Sequence, residues 1–251
     1  MGATEQGRKP EQKLGKRAAA RAETMRRITE LGLEQLDAEG VAGLSLREVA
    51  RELGLVSSAV YRYVASRDDL LTLLLVDCFT SLAEAALGGD DGGAGRPPRR
   101  RYIAVAGRIR AWAVERPERW TLLYGSPVRG YAAPGEETTG PGTRVIALFA
   151  EIVAGSGAAG SGAADREAEG GAVRRIELTD AARDVLGWAA RDLEPSEPTP
   201  EELAVAATLF AGTVGVVTAE VFGQWGPLPA DGAAAIFEAQ TRALSLLLPR
   251  E

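Results

Sequence analysis

"LREVARELGLVSSAVYRYV", Leu46 to Val64, gathers two short apolar-periodic segments around one glycine. Ser45 stands three residues ahead of Glu48. That spacing predicts a capping box, in which each side chain satisfies an orphan backbone N–H at a helix start. Leu46, Val49, Ala50 and Leu53 then share one face of a helix from about Ser45 to Leu53. Gly54 follows and suits a left-handed C-terminal stop. A second short helix starts at Val56 or Ser57, with Val60 and Val64 pointing inward one turn apart. Helix, glycine turn, helix is the helix-turn-helix pattern.

The residues before this pair predict a helix from about Arg17 to Asp37. Met25, Ile28, Leu31, Leu33 and Leu36 recur there at three- and four-residue spacing. Gly40 and Gly43 break it. Residues 1–16 have no period and read as a disordered basic arm. The first 27 residues hold eight basic and three acidic groups in a chain of net charge −6. Such asymmetry suits a polyanion binder that touches its partner at one end, and equally a solvated tail.

After the pair, Ser66 with Asp68 and Asp69 marks another helix start, and a long helix is expected from Arg67 to Leu87. Further helices fit Arg99–Val114, Glu118–Tyr124, Thr143–Val153, Thr179–Leu193, Pro200–Phe222 and Pro229–Leu248. Gly/Pro-rich segments separate them, with mobile linkers near 88–97 and 155–172. No stretch alternates like a strand beside hairpin turns. The chain reads as all-α, with a three-helix helix-turn-helix domain over 17–66 and a larger helical domain over 67–251.

Composition narrows the chemistry. Histidine is absent, which removes the commonest general base and the commonest metal ligand. The single cysteine, Cys78, can form neither an internal disulfide nor a Cys/His zinc site, and fits a reducing cytoplasm. We expect no catalytic residues, no metal and no cofactor. No uninterrupted apolar run reaches the roughly 18 residues of a membrane span. The nearest, "LLTLLLVDCF", follows Asp69 and is interrupted by Asp77. The N-terminus is polar and basic, unlike a secretory signal. A cytoplasmic protein without a membrane partner is expected.

The second helix of the pair turns Ser57, Ser58, Ala59, Tyr61, Arg62 and Tyr63 away from its apolar side. B-DNA's major groove admits one α-helix, and these residues suit it. Small residues allow close approach, serine bonds several bases, an alanine methyl can meet a thymine methyl, and arginine can take guanine through two hydrogen bonds. Tyrosine hydroxyls and Arg67 suit phosphate oxygens. Spacing alone leaves open a helical pair with no DNA role, its tyrosines lying at a core edge.

"GLSLREVARELGLVSSAVYRYVASRDDLLTLLL" resembles the DNA-binding domain of the tetracycline-repressor (TetR) family of bacterial transcription regulators. The resemblance lies in Leu44-Ser45-Leu46-Arg47, Ala50, Leu53-Gly54-Leu55, Tyr61-x-Tyr63-Val64, Ser66-Arg67 and Leu70-Leu71, and covers about residues 18–80. It implies that Ser45 and Arg47 contact the DNA backbone or a base. Ser57, Ser58, Ala59 and Arg62 would face the groove, Tyr61 and Tyr63 would meet phosphate or sugar, and Arg67 would clamp a phosphate. Relatives usually carry Lys where Arg67 stands, and many carry Lys or Thr near Ser58–Ala59. Direct readout here would therefore lean on Arg62. Arg17 and Arg21 resemble N-terminal extensions that some relatives lay along DNA.

The remainder is similar to the family only in plan, although "RPERWTLLYGSPVRGYAAPGEETTGPGTRV" resembles a C-terminal domain type of some actinobacterial members. The resemblance implies effector binding and dimerisation. As a set Trp112, Trp120, Tyr124, Phe149, Trp188 and Phe210 are candidate pocket walls, although plain core packing is the commoner role of any single one. The last two helices carry small residues suited to a twofold mate. The expected partners are a palindromic duplex operator, a small-molecule effector of unknown identity and a second copy of the chain. The expected function is a repressor released by its effector. Two rivals remain: an all-α enzyme using Asp/Glu chemistry, and a helical interaction protein without DNA function.

Overall fold

The computed structural model describes residues 8–88, 95–155, 176–191, 193 and 198–249, with side chains from residue 17 onward. No strand occurs among the described residues. Two compact units are present, and the chain passes from one to the other within a single helix. The first takes in the chain up to Asp77 together with Val128–Ala132. The second takes in Cys78–Pro127 together with the chain from Ala133 onward.

The first unit contains α1 (Arg8–Glu39), a 3-10 turn (Val41–Gly43), α2 (Leu46–Glu52), α3 (Ser57–Val60) and the first half of α4 (Arg67–Leu87). α1 starts at Arg8 rather than near Arg17. Lys, Glu, Gln and Leu dominate the added residues and favour helix without supplying an apolar period, and Pro10 falls in the first turn, where it is tolerated. Ile28, Leu31 and Leu36 of α1 are buried, as are Leu46, Val49 and Ala50 of α2, then Val60, Val64, Leu70, Leu71 and Leu74. Gly32 permits the close approach of α1 and α4. A Cβ there would stand 3.0 Å from Leu74 Cδ2 and 3.1 Å from Leu70 Cδ1.

The cap of α2 departs from the expected reciprocal box. Ser45 Oγ accepts from Glu48 N at 3.4 Å, but Ser45 N donates to Gln35 Oε1 at 3.0 Å. Glu48 instead lies 3.6 Å from Arg51. The longer-range bond ties α2 to α1 where a local one was expected. A full capping box does occur at α9, where Thr199 Oγ1 accepts from Glu202 N at 3.3 Å and Glu202 Oε2 accepts from Thr199 N at 2.8 Å. Gly54 adopts φ +66°, the left-handed stop its position predicts. α3 is regular only to Val60. Beyond it the chain tightens, with Arg62 N donating to Ala59 O and Tyr63 N to Val60 O. Ser66 caps α4, accepting from Asp69 N at 3.1 Å.

The second unit contains the rest of α4, α5 (Pro98–Glu115), α6 (Pro117–Tyr124), α7 (Gly135–Val153), α8 (Asp180–Ala190), α9 (Pro200–Val221) and α10 (Gly232–Ser245). α9 is the hub, packing against α5, α6, α7, α8 and α10. Arg110 on α5 grips Glu220 on α9 through two hydrogen bonds of 2.7 and 2.6 Å. α7 starts eight residues before the expected Thr143 and carries Pro141 inside. Packing overrides the local Gly/Pro signal: Thr138 is buried, and a Cβ on Gly142 would touch the Phe79 ring at 3.6 Å. Thr143 Oγ1 bonds the Thr139 and Gly140 carbonyls beside the proline.

By length and hydropathy α4 and α9 could each cross a membrane, which the expectation from apolar run length did not foresee. Half of the most apolar window of α4 and a third of that of α9 are buried within the fold. The linkers expected near 88–97 and 155–172 lie largely outside the described residues, as do residues 1–7 of the arm.

Candidate nucleic-acid interface

Val60 and Val64 are buried, which fixes the rotation of α3 and its following turn. Ser57, Ser58, Tyr61 and Arg62 are then exposed, and Ala59 and Tyr63 half-buried. On α2, Arg47 is exposed and Ser45 half-buried in its cap. The structure therefore sets six of the nine expected contact residues on α3 and its following turn, and two more, Ser45 and Arg47, at the start of α2.

The ninth, Arg67, has a second engagement. Its guanidinium donates to the Val41 carbonyl at 2.5 Å and thereby closes the turn between α1 and α2. It remains exposed. Arg21 lies over the Tyr63 ring, 5.1 Å from its centroid, so α1 supplies a cation beside the turn that follows α3.

Charge pairing separates the arginines of this unit. Arg26 and Arg27 are bound by Glu23 and Glu30, and Arg51 lies near Glu48. The Arg26 contacts hold the Glu23 carboxyl below its usual range. Among the described residues, Arg17, Arg47 and Arg62 are exposed and make no ion pair. Unpaired cations around an exposed helix suit phosphate and base contacts. Residue spacing gave no sign of the Gln35 tether, the Arg67–Val41 bond or the exposure of Leu55 and Val56 just ahead of α3.

In the second unit, four of the six expected aromatic residues form one ring cluster. Tyr124 contacts Trp120 at a centroid distance of 4.5 Å and Phe210 at 6.2 Å, and Phe210 meets Phe149 at 6.2 Å. Phe79 and Tyr102, absent from the expected set, extend it. Trp112 lies outside the cluster, donating to Ser81 Oγ at 3.0 Å. Trp188 also lies outside it, 65% exposed on α8. Tyr102 and Trp120 bond Thr213 and Thr218 of α9. The Tyr124 hydroxyl has no hydrogen bond among the described residues, and burial pushes its pKa up.

Two family models match. Residues 28–74 match bacterial regulatory proteins of the tetR family, and residues 102–244 match a tetracyclin repressor-like C-terminal domain. HTH-type transcriptional regulator Rv1816 of Mycobacterium tuberculosis and Mb1846 of Mycobacterium bovis are each 42% identical over 240 residues. These alignments span 94% of this chain and 97% of theirs. The crystal structure of SCO4313 superposes with a TM-score of 0.65 at 26% identity, covering 90% of this chain and 97% of that one. FadR from Bacillus subtilis, in complex with stearoyl-CoA, shares the fold at a TM-score of 0.56 and 11% identity, over 89% of this chain and 98% of its own. The N-terminal match takes in α2 and α3, and the chain belongs to the TetR family of DNA-binding transcriptional regulators.

Proposed function

We propose that this regulator binds a palindromic operator as a homodimer, represses there, and is released by a small-molecule effector held in its C-terminal unit. The observation that carries the DNA half is the exposed set Ser57, Ser58, Tyr61 and Arg62 on a helix locked by buried Val60 and Val64. Two such heads related by a twofold axis would address half-sites about one helical turn apart. Arg62 takes the guanine-reading role, and Tyr61, Tyr63 and Arg47 the phosphate roles.

The second copy fits the outer face of α9 and α10. Gly212, Gly215, Val216, Gln240, Ala243, Leu244 and Leu247 line a shallow groove of about 550 Å³ there. A Cβ on Gly212 would come within 2.7 Å of Leu244, so glycine sets the closeness of the two helices. Leu246 is 64% exposed nearby, an apolar residue that dimerisation would cover.

For the effector, the ring cluster around Tyr124 supplies an apolar wall and one unbonded hydroxyl, the mix that small-molecule sites use. An effector releases DNA only by binding the two conformational states unequally. α4, which carries residues of both units, is the route for that difference. The protein acts in the cytoplasm as a binding protein and not as an enzyme.

Selection of duplexes from a random library, followed by mobility-shift titration and mass measurement of the complex, tests this reading. A symmetric sequence bound by two copies supports it. A complex with a single copy, or indifference to every duplex at low salt, overturns it.

A further inference from the structure

Val56 is 72% exposed, more than any other large apolar side chain described in the chain. It stands immediately ahead of α3, in extended conformation at φ −68° and ψ 142°. Its carbonyl accepts from Ala59 N at 2.8 Å, so its backbone is built into the first turn of the reading helix. Leu55 beside it is 39% exposed. Neither side chain contributes to the core, and an exposed branched apolar group gains nothing in the free protein.

Recognition helices touch base edges with their N-terminal residues. Each base pair offers hydrogen-bond donors or acceptors in the major groove, but the thymine C5-methyl is the one apolar group there. Ser57 and Ser58 can bond to almost any edge and so discriminate weakly. We infer that Val56 reads a thymine methyl in each half-site and is a specificity-determining residue. This rests on the DNA-binding reading above and adds to it a sequence rule: one thymine per half-site, recognised by its methyl alone.

The test uses the full chain and duplexes it selects from a random library, with each thymine replaced singly by uracil. Uracil lacks only the methyl and keeps the hydrogen-bonding edge. At one position per half-site, uracil should weaken the wild type about fourfold, the value of one buried methyl-sized group. Val56→Ala should bind the thymine and uracil duplexes equally at that position and respond like the wild type elsewhere. Val56→Ile should keep the preference. Because Val56 is exposed, the variants should keep the wild-type melting temperature. Uracil without effect at every position overturns the inference. So does a Val56→Ala loss of equal size on thymine and uracil duplexes, since that would place Val56 against sugar. If the wild type binds no duplex at all, the DNA-binding reading itself fails; if it binds but ignores the methyl, only this inference does.

Discussion

The guanidinium of Arg21, on α1, lies 5.1 Å from the centroid of the Tyr63 ring, which follows α3. The stack joins α1 to the turn after α3, the proposed reading head, through two side chains that each suit a phosphate. Arg21→Ala should weaken specific and non-specific DNA alike and lower the salt slope by about one unit. Combined with Tyr63→Ala, the two losses should fall short of adding, with a coupling of about 0.5–1 kcal/mol. Mobility-shift titrations at several salt concentrations measure both quantities. Strict additivity would mean that each residue meets DNA without the other.

Arg67 donates to Val41 O from the start of α4, so its removal should register twice. Arg67→Ala loses a charge-assisted hydrogen bond at an exposed site, which should cost about 1 kcal/mol of stability in the first unit. It should also flatten the salt dependence of DNA binding by about one unit of slope. Thermal unfolding monitors the first effect and salt-dependent titration the second. An unchanged slope would leave Arg67 a purely structural residue that fastens the α1–α2 turn.

Much of the first unit was legible because its signals are local. The Gly54 stop, the Ser66 cap and the buried positions Val60 and Val64 depend on neighbours within one or two turns. What spacing could not show are bonds across the sequence: Gln35 to Ser45, ten residues apart, and Arg67 to Val41, twenty-six apart. The same limit applies in the second unit. Gly140, Pro141 and Gly142 carry loop signals, yet they lie within α7 because Phe79, far away in the chain, packs against Gly142. The ring cluster was half legible. Aromatic type singled out Trp120, Tyr124, Phe149 and Phe210, but nothing local distinguished them from the exposed Trp188.

Gly215 offers a test of the proposed dimer that spares the protomer fold. It is an exposed residue of α9, a Cβ there would meet nothing within 4 Å, and it lines the groove between α9 and α10. Gly215→Arg should leave the protomer folded and raise local helix propensity by roughly 0.5–1 kcal/mol. It also places a guanidinium where the second copy would have to bury it. Light scattering should therefore report a monomer with wild-type circular dichroism, and binding to a palindromic site should fall to that of a single half-site. A variant that remains a dimer would move the twofold contact away from this groove.

Tyr102 gives the second unit an alkaline limit. Its side chain is fully buried, and burial pushes its pKa from 10.0 up to about 12, while the hydrogen bond with Thr213 acts in the opposite direction. The folded protein thus keeps a proton that the unfolded chain releases near pH 10. Stability from this group is present in full below pH 10 and falls as pH rises toward 12, because the unfolded state binds fewer protons in that window. Tyr124 shifts in the same direction, also through burial. Thermal unfolding followed from pH 8 to 12 should show a melting temperature that declines above pH 10. Tyr102→Phe should lower stability by about 1 kcal/mol at neutral pH through the lost Thr213 bond, yet make the alkaline decline shallower. The remaining slope belongs to Tyr124, so Tyr102→Phe with Tyr124→Phe should flatten it further. A double variant that declines as steeply as the wild type would place the alkaline transition on other groups.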